Sequence, residues 1–426
     1  METCEEKVSI DLRRVLLSIA QALDDVGFDT LHHSHRVGYM AYRCALRMGW
    51  DQELAQLSFA AGLVHDCGST QHSALMTFAA TRRPGSFARH CEKGFNLLSA
   101  CGPLSRFALP ILYHHTAWYE LQTLAMDSHD KQIAGLIYLA NRVDHLYFHQ
   151  HKDLFGNLSA AGKRQIIEQL QAHSGTLFAA DMVEVMADLV GNDDFWFSMH
   201  PQHIEAVLLR LEAAPLFSRN LNLNERIEIA ELFSKIVDAK SPFTFQHSLK
   251  VALLSQFLAK KMGYSAKMQK LLYLAGLLHD IGKLRTPDFV LHKEGTLTAE
   301  EYTCIKRHAT DTRFILQNIH TSSLVCDWAS NHHERLDGSG YPLGKTAQEL
   351  DGPSRIVAVA DVFQALTQSR PYRQGMSLEQ SLNIIAEQVA NHQLDGDVFA
   401  CLQHNAEHCY WLSADENEVG LQSAVG

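Results

Sequence analysis

At 426 residues the chain exceeds one ordinary hydrophobic core, and the usual domain size implies two or three domains. A hydrophobic fraction of 46% with 20% charged residues describes a globular protein, and a net charge of −11 argues against a general binder of nucleic-acid polymers, which relies on clustered Lys and Arg. No apolar run approaches the roughly 20 residues that cross a bilayer, the N-terminal METCEEKVSIDLRR is charged where an export signal would be apolar, and the nine cysteines are scattered without a CxxC pair, so the expected compartment is the cytoplasm with reduced thiols.

In chain order, apolar residues at i, i+3, i+4 and i+7 predict a first helix over 12–26. HHSHRVGYMAYRCALRMGW follows, then AAGLVHD with His65 and Asp66, His90 in FARHCEKG, the pair His114 and His115, and IYLANRVDHL. A Pro among polar, cap-forming residues near 212–224 marks a boundary, so two helical domains are expected at 1–214 and 215–426. Beyond it, the same periodicity predicts helices over Glu225–Ala239 and Ser248–Met262, and the apolar run from Tyr273 ends in His279, Asp280 and Lys283. Gly and Pro gather in Asp337–Gly344 and Asp351–Pro353, which read as loops. Strand-like alternation is almost absent, and the expected class is all-α.

The two halves repeat one another. HHSHRVGYMAYRCALRMGW aligns with QHSLKVALLSQFLAKKMGY, which places His33 on His247; in both copies the next match follows 32 residues later, His65 and Asp66 on His279 and Asp280. His90 falls on His308, and 24 residues after each comes a pair, His114 and His115 or His332 and His333. IYLANRVDHL meets VAVADVFQAL, pairing Asn141 with Asp361. An isolated His is more often a surface or core residue than a ligand, but five histidine positions kept in order across two copies point to metal.

Imidazole and carboxylate donors without cysteine suit Fe, Mn or Zn. The second copy offers seven, His247, His279, Asp280, His308, His332, His333 and Asp361, more than one tetrahedral ion takes. They fit two divalent ions with Asp280 as bridging carboxylate, an arrangement suited to phosphoester hydrolysis. Lys283 reads either as a solvated charge after a helix end or, three residues from Asp280 on one helix face, as a catalytic contact to a phosphate; the second reading is favoured.

His279–Asp280–Ile281–Gly282–Lys283, followed by NHHERLDGSGYPLG from Asn331 to Gly344, resembles the HD-GYP family of cyclic dinucleotide phosphodiesterases over about residues 225–405. The resemblance implies a helical domain whose two- or three-metal centre opens a cyclic dinucleotide to a linear product with a 5′-phosphate. By position it implies the seven ligands above, a contact from Lys283 to the scissile phosphate, a pocket loop formed by Gly340, Tyr341 and Pro342, and phosphate-gripping cations at Arg370 and Arg373. Some members carry a Glu four residues before the first ligand His, where it helps hold a third ion; Phe243 stands there, so two ions, Fe or Mn, are expected.

The first copy has Ser69 where the second has Lys283, Asn141 where it has Asp361, and TAWYELQTL where the GYP loop would follow. It is expected to be inactive, with a structural, dimer-forming or regulatory role, or to hold a metal weakly with help from Asp29. An incomplete HD domain ahead of a complete HD-GYP domain resembles the phosphodiesterases acting on 3′,3′-cyclic GMP-AMP, which is favoured slightly over cyclic di-GMP. The competing readings are a non-catalytic cyclic-dinucleotide-binding adaptor and an HD-type hydrolase of linear nucleotides.

Overall fold

The computed structural model describes residues 8–24, 32–69, 88–150, 152–154, 156–210, 217–240, 246–293, 295–319, 323–369 and 374–414. Asp29, Phe243, Arg370 and Arg373 lie outside the described residues. The chain divides into two compact units, Ser9–Leu221 and Asn222–Gly426 together with Met1–Val8. Apart from one two-stranded pairing of Val8–Asp11 with Ser218–Leu221, every regular element among the described residues is helical, in agreement with the all-α expectation.

In the first unit, α1 (Leu12–Asp24) buries Leu12, Val15, Leu16 and Ile19, the i, i+3, i+4, i+7 stripe of an amphipathic helix. Then come α2 (His33–Arg47), α3 (Gln52–Val64), α4 (Ala88–Ser99), α5 (Ala108–Leu112) and the long α6 (Ser128–Phe148). Asp51 caps α3 by accepting from Leu54 N at 2.8 Å. TAWYELQTL forms a short helix at Trp118–Leu121, tied by Trp118 N to Leu177 O at 2.9 Å.

The second unit repeats the order with α7 (Leu223–Lys240), α8 (His247–Lys261), α9 (Ala266–Leu278), α10 (Ala299–Ile319), α11 (Ser323–Ser330) and α12 (Gly352–Thr367). Two expectations need correction. Asp351–Pro353 is the start of α12 rather than a loop: Asp351 accepts from Ser354 N at 3.0 Å, and Pro353 sits in the first turn, where its missing N–H costs nothing. Lys283 does not share an α-helical face with Asp280, because α9 ends at Leu278 and Ile281–Arg285 is a 3-10 turn. In that tighter turn residues i and i+3 eclipse, so the two side chains still meet.

Two small-residue contacts position everything that follows. A Cβ on Gly276 of α9 would lie 2.6 Å from Ala252 Cα of α8, and one on Gly62 of α3 would lie 2.3 Å from Gly38 Cα of α2. These helices therefore cross backbone to backbone, which brings the His that opens one beside the His that ends the other. A Cβ on Gly282 would stand 2.0 Å from His308 O, and one on Gly68 would stand 2.1 Å from His90 O, so the turn after the His-Asp pair rests directly on the helix carrying the next ligand.

Candidate metal centre

In the second unit His247 opens α8, preceded by Gln246 in the left-handed region at φ 65°; His32 holds the same conformation before His33. Non-glycine residues rarely adopt it, and its recurrence beside a cluster of polar groups fits strain kept for a site. His279 and Asp280 follow α9, His308 lies within α10, His332 and His333 follow α11, and Asp361 projects from α12. All of these except His333 are almost fully buried.

The donors form two groups about one carboxylate. Asp280 Oδ2 lies 3.4 Å from His247 Nε2 and 3.3 Å from His279 Nε2, and Asp361 Oδ1 is 3.4 and 3.7 Å from the same two nitrogens. Asp280 Oδ1 faces the other way, 3.5 Å from His308 Nε2 and 3.8 Å from His332 Nε2. His333 Nδ1 is 3.8 Å from Asp361 Oδ2, and its ring lies tilted at 46° against His332 with the centroids 4.0 Å apart. The structure thus brings together all seven ligands expected from the sequence, with Asp280 between the two groups.

The outer hydrogen bonds fix the tautomers. His279, His308 and His332 donate from Nδ1 to Gly276 O, Ile305 O and Ala329 O at 2.8, 2.6 and 2.6 Å, and His247 donates from Nδ1 to Gln364 Oε1. A carbonyl only accepts, so each Nδ1 carries a proton and Nε2 is the nitrogen left to face the centre. His247 Nε2 and His279 Nε2 approach to 3.1 Å, as do His308 Nε2 and His332 Nε2. The lone pairs of His308 and His332 facing one another, and a buried Asp280 Oδ1 without any hydrogen bond, are costly unless a cation lies among them. The donor set fits divalent metal.

The electrostatics agree. Burial opposes ionisation of Asp280, yet Lys283 and His279 hold its carboxyl well below the usual range; Asp361 is held low by His247 and His279 against the same burial. Despite burial, hydrogen bonding to Asp280 and Asp361 pulls His247 up to about 10, whereas burial pushes His308 down to about 4 and holds His332 and His333 well below 6.5. The carboxylates demand positive charge while most of the imidazoles refuse it.

Lys283 Nζ donates to Asp280 Oδ2 at the partly exposed edge of the centre. The Tyr341 ring lies tilted against His333 with the centroids 4.7 Å apart, and the residue's backbone N–H donates to His333 O at 3.1 Å. Gly340 has no room for a side chain, since a Cβ there would be 2.3 Å from Arg335 N. Four supporting residues escaped the sequence reading. Buried Glu334 accepts from Leu343 N at 2.8 Å and Lys345 N at 2.9 Å, tying down the loop that carries Tyr341. Thr312 donates to His279 O at 2.9 Å and accepts from Gly282 N at 3.0 Å; Asp238 accepts from Ser248 at 3.0 Å; Gln364 orients His247. Only Gln364 carried a signal, three residues after Asp361 on one helix.

The first unit assembles a related cluster. Asp66 Oδ2 is 3.3 Å from His65 Nε2 and 3.9 Å from His33 Nε2, and Asp66 Oδ1 is 3.6 Å from His90 Nε2 and 3.9 Å from His114 Nε2. Asp144, at the position of Gln364, accepts from His33 Nδ1 at 2.6 Å and from Arg36 Nε at 2.6 Å.

With this geometry established, the comparisons with known proteins are specific. HD-domain families match residues 30–145 and again 231–398. 3′3′-cGAMP-specific phosphodiesterase 1 of Vibrio cholerae is 48% identical over 417 residues, covering 98% of this chain and 97% of that protein. The chain belongs to the HD-domain cyclic dinucleotide phosphodiesterases. Within this phosphodiesterase family, a cyclic di-GMP phosphodiesterase of Pseudomonas aeruginosa is 38% identical over 158 residues, 37% of this chain and 38% of that one. A crystal structure of a cyclic GMP-AMP specific phosphodiesterase from V. cholerae superposes with a TM-score of 0.62 at 22% identity, over 94% of this chain and 98% of that chain, and shares the fold. Among the described residues no helix is long and apolar enough to cross a membrane.

Proposed function

We propose that the second unit hydrolyses a 3′,3′-cyclic dinucleotide to a linear dinucleotide with a 5′-phosphate, with 3′,3′-cyclic GMP-AMP preferred over cyclic di-GMP. The observation that carries this is the pair of donor groups turned toward the opposite oxygens of Asp280. His247, His279 and Asp361 would hold one divalent ion, Fe or Mn, and His308, His332 and His333 a second, with Asp280 shared between them. When bound, such a pair lowers the pKa of water and neutralises phosphoryl charge.

The residues of the chain do the rest. Asp280 and Asp361, ionised through their neighbours, keep the centre anionic enough to retain cations. Lys283 stands at the exposed rim beside Asp280, where its ammonium meets the scissile phosphate and stabilises charge on the departing 3′-oxygen. Tyr341, fixed on His333, walls the mouth and offers a ring face to a base. Arg370 and Arg373 supply the further phosphate contacts. The first unit, with Ser69 for Lys283 and Asn141 for Asp361, does not hydrolyse. The preference for the mixed dinucleotide is supported by the V. cholerae relative, which matches along both units.

Liquid chromatography with mass spectrometry of products, using Mn- or Fe-loaded protein and 3′,3′-cyclic GMP-AMP, cyclic di-GMP and cyclic di-AMP in parallel, tests this. Conversion of the mixed dinucleotide fastest, to a linear 5′-phosphorylated product, is expected. All three surviving intact with metal-replete protein would overturn the assignment and favour a binding adaptor or a linear substrate.

A further inference from the structure

The first unit has lost the features proposed for catalysis, yet its cluster is not an inert remnant. Asp66 is 4% exposed, and neither of its carboxylate oxygens makes a hydrogen bond although four imidazole nitrogens surround it within 3.9 Å. A buried carboxylate so placed, ringed by imidazole nitrogens, is aimed at a cation.

One donor sets this cluster apart. Cys91 stands where the second unit has Ala309, and its Sγ lies 3.5 Å from His90 Nε2, which is itself 3.4 Å from His114 Nε2. A tetrahedral ion with metal–sulfur and metal–nitrogen bonds of about 2.3 and 2.05 Å separates sulfur from nitrogen by about 3.6 Å and two nitrogens by about 3.4 Å. The two edges that meet at His90 Nε2, 3.5 Å to Cys91 Sγ and 3.4 Å to His114 Nε2, match these values. His114 also donates from Nδ1 to Ile111 O at 2.6 Å, which leaves Nε2 with its lone pair directed at Asp66 and His90. Cys91 is almost fully buried, and its Sγ lies within 4.8 Å of a ring nitrogen of each of His90, His114 and His115.

We propose that the first unit holds a metal ion of its own, bound by Cys91 Sγ, His90 Nε2, His114 Nε2 and Asp66, and selective for a zinc-type ion. A thiolate is a soft ligand, and sulfur with imidazole and one carboxylate favours Zn over the Fe or Mn suited to a purely nitrogen and oxygen set. Four protein donors also close the coordination shell, as in structural rather than catalytic zinc sites. One chain then carries two kinds of metal centre, one hydrolytic and one that ties α4 and α5 to the turn after α3.

Cobalt(II) substitution of the full-length protein reads sulfur ligation directly, through a near-ultraviolet thiolate-to-cobalt charge-transfer band. The second centre cannot contribute this band, because Ala309 occupies the equivalent position. The band is expected in the wild-type chain, retained in Asp280→Ala, and lost in Cys91→Ala, a replacement that the second unit already accommodates. In the Asp280→Ala background, zinc measured by mass spectrometry should fall by one per chain when Asp66→Ala is added, and Cys91→Ala, which removes one of four ligands, should weaken zinc binding. Absence of the band from the wild-type protein, or a band that persists in Cys91→Ala, overturns the proposal. So does equal zinc content with and without Asp66→Ala.

Discussion

The far end of the loop from Gly338 to Gly344 is held by a buried carboxylate, which makes Glu334 a sensitive place to test whether that loop shapes the substrate pocket. Its oxygens accept separately from Leu343 N and Lys345 N, in a side chain 1% exposed. Glu334→Gln keeps the size and one acceptor but turns an NH2 group toward the other backbone N–H. One charge-assisted bond is lost, at about 2 kcal/mol, equivalent to roughly thirtyfold in the population of the closed loop. The Glu334 carboxylate is engaged with Leu343 N and Lys345 N rather than with the seven donor side chains, so metal content should not change. The expected result is a fall in kcat/KM of up to about thirtyfold at constant metal stoichiometry, with faster amide exchange at Leu343 and Lys345. Unchanged kcat/KM with accelerated exchange would refute a role for the loop in substrate binding; parallel loss of metal would show that Glu334 acts through the centre.

Asp280→Ala should release metal and abolish turnover, whereas Asp66→Ala should leave most turnover intact; equal loss in steady-state assays of both would refute the division between the units. Lys283→Ala should reduce kcat by about 10²–10³-fold with metal content unchanged, as expected when a cation at the developing charge is removed. Gly282→Ala places a Cβ 2.0 Å from His308 O and should cost about 2 kcal/mol, lowering the melting temperature by about 4–8 °C in a thermal scan. Because His247 without metal is pulled up to about 10 and His308 is pushed down to about 4, only the former is protonated near pH 7.5. Metal binding should therefore release about one proton, seen as a dependence of calorimetric enthalpy on buffer.

The residues of the donor cluster were legible because duplication wrote them twice: a single histidine carries little information, but two lists in the same order and spacing do. Helix existence was legible too, since α1, α7 and α8 follow plain apolar periodicity. The loop reading of Asp351–Pro353 failed because Asp and Pro also open helices, and here they cap α12. Glu334, Thr312 and Cys91 were not legible, because each acts through a partner whose distance depends on packing. The Gly276–Ala252 contact belongs to the same class. Nothing in a local window says that a glycine's missing side chain is needed by another helix.

The outer partner of the first histidine differs between the units in a way that reaches beyond ligand identity. Along equivalent helices the second unit has a carboxylate at Asp361 and an amide at Gln364, while the first has an amide at Asn141 and a carboxylate at Asp144. The negative charge has been displaced by one turn without being removed. In its new place it meets Arg36, 2.6 Å away, whereas Lys250, the counterpart of Arg36, donates to Ala414 O at 3.1 Å. The first unit thus carries a permanent guanidinium counter-ion at this carboxylate, where the second sets only imidazoles against Asp361. A gene copy can in this way lower its appetite for hard cations by transposing two side chains, keeping fold, spacing and histidines intact.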